Sequence, residues 1–157
     1  MNHIFRTGFS FGLTSGVITT LGLIIGLFYG TKSELAVIGG ILTIAVADAF
    51  SDALGMHIST EARTKKKREI WGSTFATFIS KLLFALSFLA PILIFDFGQT
   101  AIYASVVWGL LLIGLLSFKV AKDQKKDPAH VVTEHVLIAT IVIITTYYIG
   151  RLIASIF

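Results

Sequence analysis

Three ionisable residues, Asp48, Asp52 and Lys81, stand inside long apolar stretches of this chain. Charges in such surroundings are rare and costly within a membrane, and by default they mark a functional site. Asp48 and Asp52 are four apart, so on a helix they share one face, with Met56 a further turn along it. Carboxylate oxygens take hard cations, and a nearby thioether softens a site toward transition metals. Two carboxylates one turn apart also resist being ionised together, which suits exchange of a proton for a metal. At about 1.5 Å per residue, Asp52 lies roughly 9 Å and Asp48 roughly 15 Å from the near end of their helix. They read as a ladder from one membrane face toward the midplane. Lys81, counted the same way along the next apolar stretch, is also about 15 Å deep, level with Asp48. An Asp48–Lys81 pair has two readings. It is plain charge compensation, leaving Asp52 as the freer ligand, or Lys81 is a built-in counter-ion displaced when a cation or proton binds.

Two further pairs, His57 with Glu61 and His130 with Glu134, have the i, i+4 spacing that can chelate a metal. Interfacial helix ends commonly carry such pairs as well. The chain has no Ser-His-Asp arrangement, no phosphate-binding glycine loop and no H-E-x-x-H motif, so the expectation is not an enzyme, with no cofactor. With no cysteine, disulfides, thiolate metal sites and cysteine nucleophiles are excluded.

The elements that must position these residues follow from composition. At 55% hydrophobic and 14% charged the chain is too apolar for an ordinary soluble domain, and its 157 residues leave room for one domain. A membrane helix needs roughly 20 mostly apolar residues. Five stretches qualify, at about 8–30, 35–58, 71–95, 100–118 and 131–155. The expected fold is all-α, a polytopic membrane protein of five transmembrane helices. Polar turns at Tyr29–Glu34 and Asp96–Gln99 separate two pairs of spans, a basic run from Arg63 to Arg68 separates another, and the charged linker Lys119–Pro128 ends in a proline that can begin span five.

Ten of the basic residues fall on one side of these spans: Arg6, five between Arg63 and Arg68, and Lys119, Lys122, Lys125 and Lys126. Lys32 and Arg151 fall on the other. The positive-inside rule then places the N-terminus in the cytoplasm and the C-terminus outside. The net charge of +4 is thereby explained as membrane topology, and no nucleic-acid partner is expected. The first apolar stretch is of span length without a small-residue cleavage site after it, so no cleavable signal is expected. A short chain of this kind suggests a prokaryotic plasma membrane. Trp71 suits an interfacial position.

Span one carries Gly8, Gly12 and Gly16, then Gly22, Gly26 and Gly30, each run at i, i+4 spacing. Small residues on one face let membrane helices approach closely. That face serves either packing within the protomer or contact with a symmetry mate. Ser10, Thr14, Ser15, Thr19 and Thr20 give the same helix polar groups that could line a hydrated path, although isolated hydroxyls in membrane helices more often bond their own backbone.

The run Gly12-Leu13-Thr14-Ser15-Gly16-Val17-Ile18-Thr19-Thr20 resembles the first helix of the vacuolar iron transporter family, whose pattern is G-x-N-D-G-L/V-V/I-S/T-T/P. Ala49 to Ser59 is similar to that family's A-x-S-M-A-x-G-E-Y/F-x-S, and Thr146 to Leu152 to its T-Y-x-x-G-R-L closing helix. The resemblance spans all five apolar stretches in order. It implies a homodimer through the first helix, with an ion path between the two first helices. Iron(II) or manganese(II) would leave the cytosol along it in exchange for protons, as substrate rather than cofactor. Asp52 would be the main ligand, assisted by Asp48, Met56 and Ser15, with His57 and Glu61 at the mouth and Lys81 in coupling or charge compensation. Departures accompany the likeness. The family's span-one aspartate falls at Ser15, its span-two methionine at Asp52 and its glutamate at Met56. Lys81 is foreign to the pattern, and the family's cytosolic metal-capturing insert is replaced by a short basic loop.

Overall fold

The computed structural model describes residues 3–157, and among these there is helix but no strand. Six helices form: α1 (His3–Thr31), α2 (Glu34–Glu61), α3 (Lys67–Leu86), α4 (Leu89–Ile94), α5 (Gln99–Asp123) and α6 (Pro128–Ile156). In hydrocarbon no water can satisfy a peptide group, so an apolar stretch crossing it closes its own backbone hydrogen bonds as a helix. Taking α3 and α4 as one interrupted span, five helical spans of 25 to 29 residues are long and apolar enough to cross a membrane. At about 1.5 Å per residue each is longer than the roughly 30 Å of hydrocarbon, so its ends reach into the headgroup layer. The helices therefore run past the apolar stretches into their polar flanks. The linker expected from Lys119 to Pro128 shrinks to Gln124–Asp127, because α5 carries Lys119 and Lys122 in its last turns.

The junctions have local causes. Lys32 takes a left-handed φ of 56° that ends α1, and Ser33 then caps α2 by accepting a bond from the Ala36 amide. Pro128 opens α6 behind an Asp127 cap, as its position in the linker suggests. The third span, read as continuous from sequence, breaks at Ser87–Phe88. Pro91 offers no N–H to the Ser87 carbonyl four residues earlier, and Ala90 donates to that carbonyl instead. The turn is held from α5, where Trp108 Nε1 donates to Ser87 Oγ at 3.0 Å.

α1 is the central helix, packed on α2, α3, α5 and α6. Val17, Leu21 and Ile24 at its middle are almost wholly buried. Both glycine runs are used inside the protomer. Gly8, Gly12 and Gly16 lie on α3, where a β-carbon at Gly12 would collide with the Ser80 side chain and the Thr77 backbone. Gly22, Gly26 and Gly30 lie on α6, beside Val142, Thr146 and Gly150. The approach to α3 is close enough for Thr77 Oγ1 to donate to the Gly8 carbonyl at 3.0 Å. At the opposite end, Phe28, Tyr29, Phe97 and Tyr147 pack edge to face.

Gly12→Val is expected to lower the thermal midpoint in detergent, since overpacking costs about 1–3 kcal/mol. Gly114→Ala, where nothing stands within 4 Å of the added carbon, should be neutral or stabilise by up to about 1 kcal/mol. Equal midpoints for the two variants would refute the close α1–α3 approach.

Candidate functional site

Lys81 sits mid-span on α3 and its side chain is 1% exposed. Its stem crosses α1 at Gly16, where a β-carbon would stand 3.2 Å from Lys81 Cγ. The missing side chain at Gly16 thus gives the lysine its route between the helices. The ammonium emerges at α2 and α1 together. It donates to Asp52 Oδ2 and, at 2.9 Å, to Ser15 Oγ. Asp48 Oδ2 lies 2.6 Å away but off the hydrogen-bonding directions, so that contact is charge pairing alone.

The equal depth of Asp48 and Lys81 counted from the sequence is matched by their contact. The expectation that Asp52 is the freer of the two carboxylates is corrected: both acids share one ammonium, and Asp52 has the hydrogen bond. The reason is helical geometry. Side chains one turn apart lean to the same side, and a four-carbon stem ending between them reaches both. Three charges meet here, two negative and one positive, leaving a formal excess of one negative charge. Neither carboxylate is sealed, since the Asp48 side chain is 27% and the Asp52 side chain 19% exposed.

Ser15 is brought to the ammonium, and Met56 is half-buried one turn beyond Asp52 on α2. His57 and Glu61 do not join the carboxylates. His57 Nδ1 meets Thr74 Oγ1 at 3.0 Å and its ring packs edge-on to Trp71, both on α3, while Glu61 is exposed. His130 and Glu134 are exposed on α6. Among the described residues, no three His, Asp or Glu side chains are grouped to hold a metal. A divalent ion at Asp48 and Asp52 would therefore take further oxygens from Ser15 or water, after Lys81 has left.

A second polar feature gathers Ser10 and Thr14, two of the α1 hydroxyls expected to line a hydrated path, with residues of α5 and α6 that the sequence does not point to. A groove of about 560 Å³ opens between α1, α5 and α6, lined by Ser10, Thr14, Ser117 and His135. An Arg6–Asp123 ion pair stands among its lining residues. Ser117 donates to the Ile113 carbonyl, so its oxygen is left to accept from His135 Nδ1 at 2.8 Å. The available signal was Ser10 and Thr14 at i, i+4 on α1, but nothing in the sequence aims them at His135. Thr14 lines this groove, and its neighbour Ser15 binds Lys81, so the two polar features adjoin along α1.

Comparison with protein-family models, with curated proteins and with solved structures finds no match for this chain.

Lys81→Met, which strands two carboxylates, should cost about 3–5 kcal/mol of stability, as breaking buried pairs does. Adding Asp48→Asn and Asp52→Asn to it should restore most of that loss. Additive losses across this cycle, measured by thermal denaturation in one detergent, would show that the three charges do not interact.

Proposed function

We propose that this protein is a proton-coupled cation transporter whose exchange site is Asp48, Asp52, Lys81 and Ser15. The observation that carries the reading is that Lys81 already occupies, as a tethered cation, the position between two mid-span carboxylates. The same oxygens can hold the ammonium, a proton or a cation, but not all at once. A proton arriving on Asp52 weakens its hold on Lys81. A cation arriving there must displace Lys81 outright. Mutually exclusive occupancy of one set of oxygens is the physical requirement for exchange.

Iron(II) or manganese(II), moved out of the cytosol, is the proposed cargo. It is supported by the motif likeness to vacuolar iron transporters and by Met56 on the Asp52 face. A monovalent cation is the second reading. Lys81 pairs with both acids, and the single negative charge left over matches one proton or one monovalent ion. The cytoplasmic N-terminus stays with the basic loops. A homodimer is the proposed assembly. With both glycine runs of α1 used inside the protomer, the contact falls on the edge where Asp48 and Asp52 are part-exposed. Carboxylates facing hydrocarbon at mid-span are costly, so a second copy or a water-filled cleft must cover them.

In proteoliposomes with a pH gradient, iron(II) or manganese(II) flux should disappear in Asp52→Asn and persist in Lys32→Ala. Lys81→Gln should bind the ion more tightly, because the internal competitor is gone, while protons still compete with the ion for Asp48 and Asp52. Sodium or potassium flux with the same dependence on Asp52 would select the second reading. No cation flux under any gradient, from folded protein, leaves the charges as a device for helix register in a non-transporting scaffold.

A further inference from the structure

A second cleft, of about 400 Å³, lies between α2 and α3 beside the basic loop. Its walls are aromatic. Phe50 packs on Phe78 at 4.8 Å between centroids, Trp71 on Phe75 at 5.6 Å, and the His57 ring stands edge-on to Trp71 at 4.8 Å. Phe50, Trp71 and Phe75 are each more than half exposed, so the cleft opens sideways toward lipid. Phe50 and His57, like Trp71 and Phe78, stand seven positions apart, about 10 Å along the helix. Two of the polar groups inside are tied to the helix itself: the Thr74 hydroxyl donates to the Ile70 carbonyl, so its oxygen accepts from His57 Nδ1. Such a slot suits a hydrocarbon chain.

The charge at its mouth has the opposite character. Lys67 and Arg68 lie one turn before Trp71, on the helix that supplies the aromatic wall, and Arg63 and Lys65 stand in the loop before them. Among the described residues of this run, the one ion pair is Lys66 with Glu69 at 3.3 Å, which also neutralises the only acid in the first turn of α3. No side chain caps α3; the Glu69 and Ile70 amides donate to the Lys66 carbonyl, and those of Lys67 and Arg68 are left to meet an anion. The other basic linker lacks this arrangement, because Asp127 occupies the N-terminus of α6.

We propose that this cleft and the start of α3 form a binding site for an anionic phospholipid of the leaflet on the basic side. The phosphate sits at Lys67, Arg68 and the first amides of α3, and one acyl chain lies along Trp71, Phe75 and Phe78. The site is separate from the exchange site and does not rest on the transport reading. Its charge selects the headgroup and its aromatic wall fixes the chain.

Trp71 is the natural reporter, since the chain has two tryptophans and Trp108→Phe leaves it alone. That variant, checked for an unchanged helical spectrum, is titrated in one detergent with phosphatidylglycerol or phosphatidylcholine carrying brominated acyl chains. Brominated phosphatidylglycerol should quench Trp71 at roughly five- to twenty-five-fold lower concentration, given a gain of about five-fold for each basic residue engaged. Lys67→Gln with Arg68→Gln, both at exposed positions, should abolish the difference and leave quenching by phosphatidylcholine unchanged. Equal quenching by the two lipids in the parent protein would overturn the proposal, since Trp71 then merely faces lipid. So would a preference that survives the double substitution. Inorganic phosphate that removes the preference at millimolar concentration would reduce the feature to an anion site without a chain, which also overturns it.

Discussion

A lysine ammonium at mid-span has to be neutralised, because hydrocarbon offers it neither water nor a mobile counter-ion. Lys81 meets that demand with groups from two other helices: Ser15 from α1, and Asp48 and Asp52 from α2. One nitrogen thereby ties three helices at a single depth. Sliding any of them by a turn, about 5.4 Å, would break these contacts and leave charges uncompensated. Apolar packing between membrane helices gives no comparable penalty for a slip, since one leucine contact replaces another. The charge cluster is the register mark of the fold.

Reaching that arrangement requires backbones to come close, and the glycine run on α1 allows it. Gly8 and Gly12 admit the Thr77 and Ser80 face of α3, and Gly16 admits the lysine stem itself. The same helix turns its other glycines to α6, so α1 is pressed from two sides with its hydroxyls between. Ser15 bonds the lysine, while Ser10 and Thr14 face the groove shared with α5 and α6. Packing and polar lining are thus two faces of one helix. On the proposed function, any motion that frees Lys81 must disturb α1, and so the two helices that its glycines meet, α3 and α6.

Some of the site was legible beforehand. The depth of Asp48, Asp52 and Lys81 followed from counting residues along apolar stretches, because rise per residue is fixed. The polar turn before α2 and the opening of α6 at Pro128 followed from turn and proline chemistry. The break at Ser87 was open to the same reasoning through Pro91, yet the surrounding hydropathy concealed it. Partner choice was not legible. His57 and Glu61 share a spacing, but Thr74 and Trp71, distant in sequence, draw the ring away to α3. The sharing of Lys81 between two carboxylates depends on how far α3 stands from α2, which no spacing within one helix can give.

The amino-acid sequence by itself determined the number of spans, the polar turns between them, the depth of each intramembrane charge and the helix able to pack most tightly. Each of these is a property of one segment meeting lipid. The tertiary structure alone decided which face of each helix looks inward. In a soluble protein the apolar stripe marks that face, but in a bilayer both faces are apolar and the pattern carries no such mark. It therefore fell to small residues and charges, acting across helices, to turn Asp48 and Asp52 onto one lysine and His57 away from them.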